Sequence, residues 1–174
     1  SSPSLSRVFV YENEATDGGG LYIGSFANPS LVGTLVGENM ASNEGGGIYL
    51  NNAETDLVNV TVVGDSAGTN GGILFLKGSS VKTRNTILTS SGSSQFWYDP
   101  NGGSNSMTIR YSGIDRAALE SGLNENGTMD WAEGNLDEGL FDGGALGECW
   151  CMSVFTYYCG EPKHHRTNDD GGSL

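Results

Sequence analysis

Positive charge is what this chain has least of. No Lys or Arg occurs between Val8 and Leu76, and eight basic residues against 21 acidic ones give a formal charge of −13. Binding to phosphate-rich partners needs concentrated positive charge, so nucleic acid and anionic membrane surfaces are not expected partners. The acidic excess serves solubility. Cysteine is scarce as well, with only Cys149, Cys151 and Cys159, all in one short stretch. No apolar run approaches the length of a membrane span, so membrane insertion is not expected. No secretory leader is apparent, and a chain that opens on Ser1 is expected to be a processed or excised segment. Histidine is limited to His164 and His165 near the C-terminus.

What the chain has in excess is glycine, at 28 residues, and the glycines mark a repeat. Asp17-Gly18-Gly19-Gly20-Leu21-Tyr22-Ile23, Glu44-Gly45-Gly46-Gly47-Ile48-Tyr49-Leu50 and Asn70-Gly71-Gly72-Ile73-Leu74-Phe75-Leu76 are three copies of one unit. Aligned on Leu21, Ile48 and Leu74, they recur at 27 and 26 residues. A second series, Val10, Val36, Val62 and Leu88, recurs every 26 residues. Arg7, Gly33, Asn59 and Asn85 keep the same spacing, as do Asn13, Asn39 and Asp65. A fixed period of this size means one supersecondary unit stacked on itself.

Period-2 alternation puts Val10, Val36, Val62 and Leu88 on an inner face, joined there by Leu21, Ile48 and Leu74. The intervening Tyr22, Tyr49 and Phe75 then point outward. Glycine reaches positive φ without a steric penalty, so the glycine runs are corners between short strands. Asn13, Asn39 and Asp65 are expected above one another, bonded up and down the stack. Stretches 24–33, 51–59 and 77–83 are rich in Gly, Asn, Ser, Pro and Thr. They read as a looser third side with no amphipathic helix, which argues against an αβ solenoid. The expected fold is all-β: a parallel β-helix, or β-solenoid, of about four turns.

The Asn-x-Ala corner followed by Gly-Gly-Gly-Ile-Tyr resembles the right-handed parallel β-helix repeats of bacterial surface and secreted proteins. The polymorphic outer-membrane proteins and their pectate-lyase-like relatives are the groups it is similar to. Residues 7–88 carry the resemblance. The stretches around Tyr111–Ile114 and Gly134–Asp142 look like closing turns, although Gly139 stands where proline is usual. The resemblance implies a right-handed coil and an extracellular or cell-surface setting. That superfold hosts lyases, hydrolases, adhesins and passive spacers, so it does not choose among them.

Along the chain, residues 1–114 are expected to form the coil. Within them, 91–114 make a degenerate turn, with strands at Phe96-Trp97-Tyr98 and Met107–Ile114 around a turn at Asp99–Gly103. Arg116–Gly122 reads as a short helical turn. Residues 115–148 read as an irregular acidic, glycine-rich cap, and 149–174 as an aromatic, cysteine-bearing strand segment with a polar tail. An extracellular chain with three cysteines is expected to form one bridge. Cys149 and Cys151 are too close for an unstrained bond between them, which leaves Cys159 paired with either. Cys149–Cys159 is preferred, with Cys151 left over.

No catalytic set is apparent. Lyases of the resembling groups use Asp-bound Ca²⁺ with an Arg or Lys base, and hydrolases use clustered Asp residues. Neither constellation occupies the repeat strands, and Asp56 and Asp65 have no evident carboxylate partner. Asp137, Glu138 and Asp142 are the best Ca²⁺ candidates, ahead of Asp169 and Asp170, without a recognised calcium-loop spacing. No other cofactor is expected. Asn59 and Asn126 begin N-glycosylation acceptor triplets. Tyr22, Tyr49 and Phe75 form either an aromatic strip for sugar rings or a neighbouring protein, or a strip covered by the chain itself. The expected role is a non-catalytic extracellular module, a surface segment, adhesin or filament subunit. It would assemble end to end through a joint of Val8 and Val10 with Trp150 and Phe155 of the preceding copy. The alternative is a β-helix that binds or cleaves polysaccharide.

Overall fold

A computed structural model describes residues 1–89 and 94–137, and in them the chain winds into a parallel β-solenoid of about five turns. The first turn holds β1 (Ser4–Ser6), β2 (Phe9–Tyr11), β3 (Glu14–Asp17) and β4 (Leu21–Ile23). The second holds β5 (Ser30–Val32), β6 (Leu35–Gly37), β7 (Met40–Glu44) and β8 (Ile48–Asn51). The third holds β9 (Glu54–Val58), β10 (Thr61–Val63), β11 (Ser66–Ala67) and β12 (Leu74–Lys77). The fourth has β13 (Ser80–Arg84), β14 (Ile87–Thr89) and β15 (Phe96–Tyr98). The fifth has β16 (Asn105–Arg110), β17 (Gly113–Ile114) and the helix α1 (Arg116–Gly122), after which β18 (Gly127–Trp131) and β19 (Leu136–Asp137) begin another circuit.

Stacking these turns makes four parallel sheets. Sheet A runs β1-β5-β9-β13-β16-β18, and sheet B runs β2-β6-β10-β14-β17-β19. Sheet C is β3-β7-β11, and sheet D is β4-β8-β12-β15. The register follows the repeat. Val10 pairs with Val36, Val36 with Val62, Val62 with Leu88 and Leu88 with Ile114. In sheet D, Leu21, Ile48, Leu74 and Phe96 stack in the same way. Val36, Val62, Ile48 and Ile114 are fully buried in one continuous core that runs up the axis. Burying apolar side chains on one stripe of every turn is what closes the coil.

Two expectations change. The coil has about five turns rather than four. The side expected to be loose is also strand, and it makes sheet A, one of the two six-stranded sheets. Its inner positions, Leu31, Thr55, Leu57, Val81, Thr83, Met107 and Ile109, are all buried. Alternation is strict there, but polar outer residues and threonines inside dilute the apolar signal. Strands β18 and β19 carry the ladders of sheets A and B on past residue 114, into the stretch expected to be a cap. The helical turn at Arg116–Gly122 is present, capped by Asp115, whose carboxylate accepts from the Ala118 backbone N–H at 2.9 Å. The turn after Tyr98 is fixed by Asp99, whose Oδ1 accepts from the Asn101 N–H at 2.9 Å.

The corners explain the repeat length. Each turn changes direction at single residues with φ near +55°, and these recur in register: Arg7, Gly33, Asn59, Asn85 and Tyr111 between sheets A and B. Glu12, Glu38 and Gly64 do the same between sheets B and C, and Gly18, Gly45 and Gly71 open the glycine runs. A left-handed residue reverses the chain within one peptide, so a strand of three can be followed at once by another. Glycine and asparagine suit the position, whereas glutamate does not. Glu38→Asn keeps the corner at an exposed site and is expected to raise stability by about 0.5–1 kcal/mol. Urea unfolding of the two proteins measures it, and a fall in stability would show that Glu38 has a role beyond the turn.

Candidate functional site

The coil presents three surfaces on which a function could be built, and the first is its N-terminal end. There β1, β2, β3 and β4 are the terminal strands of all four sheets. The interior stacks show what that means for side chains. Leu31 and Leu57, Val36 and Val62, and Ile48 and Leu74 are at most 2% exposed, whereas their first-turn counterparts Leu5, Val10 and Leu21 are only partly buried. Among the described residues, eight large apolar side chains are exposed, and Val8, Phe9, Tyr11, Tyr22 and Phe26 all belong to the first turn. Single exposed apolar residues are ordinary, but five around one open coil end make a patch. Of the expected joint residues, Val8 and Val10 lie here, and Trp150 and Phe155 lie outside the described residues.

The second surface is the aromatic strip. Tyr22, Tyr49 and Phe75 are direct partners on neighbouring strands of sheet D. Their rings stack face on face, with centroids 4.9 and 4.7 Å apart and interplanar angles of 11° and 10°. The strand spacing of a parallel sheet equals the stacking distance of aromatic rings, so identical register produces the stack without adjustment. Tyr22 is exposed, whereas Tyr49 and Phe75 are buried yet stand apart from the axial core cluster. Burial, then the Glu44 carboxylate, pushes the Tyr49 phenol up to about 12. Glu44 is itself raised, by desolvation and then by Asp17. The ring faces cover one another, so little of the strip is open to a sugar ring.

Polar side chains inside the coil are bonded along the axis. Asn39 Oδ1 accepts from the Asn13 backbone N–H at 3.0 Å and from Asn13 Nδ2 at 2.9 Å. Asp65 Oδ1 accepts the equivalent pair from Asn39, both at 2.8 Å. The ladder inferred from the repeat is therefore present. Similar links join Ala53 to Ser79 and Ser79 to Asn105, and further along join Thr86 to Ser112 and Ser112 to Asn135. Buried amides and hydroxyls so placed satisfy corner N–H groups that would otherwise be desolvated without a partner.

The third surface is the outer face of sheet A, where Lys82, Arg84 and Arg110 gather. The repeat does not announce it, because in sequence this side looks like loop. The remaining candidates are dispersed. Asn59 occupies a left-handed corner, and Thr61 of its acceptor triplet is buried. Asn126 Nδ2 donates to the Pro100 carbonyl. Asp137 closes β19, while Glu138 and Asp142 lie outside the described residues, as do Cys149, Cys151, Cys159, His164 and His165. Among the described residues no group of three His, Cys, Asp or Glu is placed to share a metal ion. No helix among them is long and apolar enough to cross a membrane. Comparison with protein-family models, with curated proteins and with solved structures finds no match to the chain.

Proposed function

We propose that this chain is a non-catalytic extracellular structural module, a right-handed solenoid that assembles coaxially with copies of itself. One observation carries the reading: Leu5, Val10 and Leu21 are left part-exposed where the same stacks are sealed in every later turn. A coil end with an apolar floor and four strand edges is a template for further strands. The surface that fits it is another coil end in the same register. Such a contact is heterologous and propagates as a filament. The right hand is the one that parallel crossover connections adopt. A role in which Tyr22, Tyr49 and Phe75 bind polysaccharide is less well supported, because the rings are stacked on one another.

Sedimentation equilibrium and electron microscopy of the intact chain test this. The expected result is a concentration-dependent series of rods whose length grows in steps of one coil. Val10→Lys places a charge on the floor of the first turn and is expected to leave a folded monomer, with folding followed by circular dichroism. Removal of 149–174 separates the two faces of the joint and is expected to shorten the rods. An intact chain that stays monomeric at every concentration would overturn the proposal.

A further inference from the structure

The outer face of sheet A carries a charge arrangement that the packing of the coil does not require. Arg84 on β13 and Arg110 on β16 are direct register partners, one strand spacing apart, and both are exposed. Like charges placed opposite each other on neighbouring strands repel and destabilise the pair. Lys82 lies two residues before Arg84 on the same face, opposite Thr108. Six basic residues fall within the described part of the chain, and half of them stand here. Lys77 and Arg116 are paired with Asp99 and Glu120, whereas Lys82, Arg84 and Arg110 form no ion pair among the described residues. An acidic chain with 21 carboxylates to choose from has left its densest cationic cluster uncompensated. The three side chains line a shallow concavity of about 460 Å³, to which Ser30, Asp56 and Thr108 also contribute.

We infer that this concavity is a binding site for a tetrahedral oxyanion, a phosphate or sulfate group carried as a monoester on a larger molecule. Two guanidinium forks about 5 Å apart need more acceptors than the two oxygens of a carboxylate, which a single fork already occupies. A tetrahedral anion offers three free oxygens and can bridge both, with Lys82 as a point charge beside them. Asp56, directly opposite Lys82, and Asp130, opposite Thr108, flank the site with negative charge. They limit it to one anionic group rather than a densely charged polymer. At physiological salt the rest of the chain's charge is screened beyond about 8 Å, so the local cations govern the first contact. Anion binding here is independent of coaxial assembly, since the site lies on the side of the coil.

The test is isothermal titration of the intact chain with phenyl phosphate, p-nitrophenyl sulfate, inorganic phosphate, inorganic sulfate and acetate. Saturable, salt-sensitive binding of the esters is expected, with acetate at least about tenfold weaker. Arg84→Gln and Arg110→Gln are each expected to weaken the esters about tenfold, while Arg7→Gln, outside the site, leaves them unchanged. Thermal unfolding supplies a second readout. Each single variant is expected to melt at or above the parent temperature without anion, because losing one arginine relieves the repulsion. Added p-nitrophenyl sulfate is expected to raise the melting temperature of the parent but not that of the double variant. Inorganic ions binding as well as the esters would place the specificity in the anion alone and overturn the larger ligand. Acetate binding as well as the esters, or variants that bind like the parent, would overturn the site.

Discussion

Gly46→Ala is expected to cost about 3 kcal/mol or more, enough to abolish folding in a coil of modest stability. A β-carbon at residue 46 would overlap the Ser66 carbonyl and lie 2.6 Å from the carbonyl oxygen of Gly72. Those atoms are backbone. Ser66 is held in place by its partner Met40 in sheet C and by its own N–H, which donates to the Asn39 carbonyl at 2.9 Å. Relief of the clash would pull sheet C off the glycine corner in two successive turns. The three glycines of this run serve different needs. Gly45 has φ +67° and supplies the reversal, whereas Gly46 has ordinary backbone angles and is excluded from growing by space alone. Gly113→Ala is the matched control, because nothing lies within 4 Å of its added β-carbon. That variant is expected to stay within about 0.5 kcal/mol of the parent. Urea unfolding of both compares them, and equal stabilities would mean that the pinched corner is not how the chain packs in solution.

How much of the coil is legible in the sequence depends on which residues announce their geometry. Val10, Val36 and Val62 do so, because a 26-residue recurrence of alternating apolar residues is what a stacked strand produces and a globular core does not. The glycine runs place one corner per turn for the same reason. Arg7 and Tyr111 hide another, since neither residue type signals a left-handed conformation although both adopt it, in register with Gly33, Asn59 and Asn85. Sheet A is masked because its strands put Glu54, Asp56, Lys82 and Arg84 outward and Thr55 and Thr83 inward, a pattern resembling polar loop. The same mask conceals the cationic site, for Arg84 and Arg110 are 26 residues apart and meet only if the segment is a ladder. The outward aromatic strip follows from alternation. Its internal stacking follows from a strand spacing equal to a ring stacking distance, which the register contains once the sheet is granted.

Asp65→Asn is expected to stabilise the protein by roughly 1–3 kcal/mol at pH 8 while changing little at pH 4.5. Asp65 continues the ladder of Asn13 and Asn39 with a carboxylate in place of an amide, and it is 1% exposed. Burial pushes its carboxyl up from 3.8 to about 6, the nearby Glu38 adds to the rise, and the two hydrogen bonds from Asn39 oppose it. The folded coil therefore holds this proton more tightly than the unfolded chain does. The stabilisation from that tighter hold is fully present below about pH 3.8 and is lost as pH rises through about 6. Above that range the protein carries a desolvated charge. Asparagine keeps an oxygen to accept from the Asn39 N–H and Nδ2 groups and carries no charge at any pH, so the ladder survives and the cost disappears. The other carboxylates of this acidic chain also respond to pH, but they do so in both proteins. The difference between parent and variant isolates residue 65. Urea unfolding of each at pH 4.5 and pH 8 gives four free energies, and the gap between the two proteins should open on the alkaline side. A gap of the same size at both values would show that Asp65 titrates alike in the folded and unfolded chain.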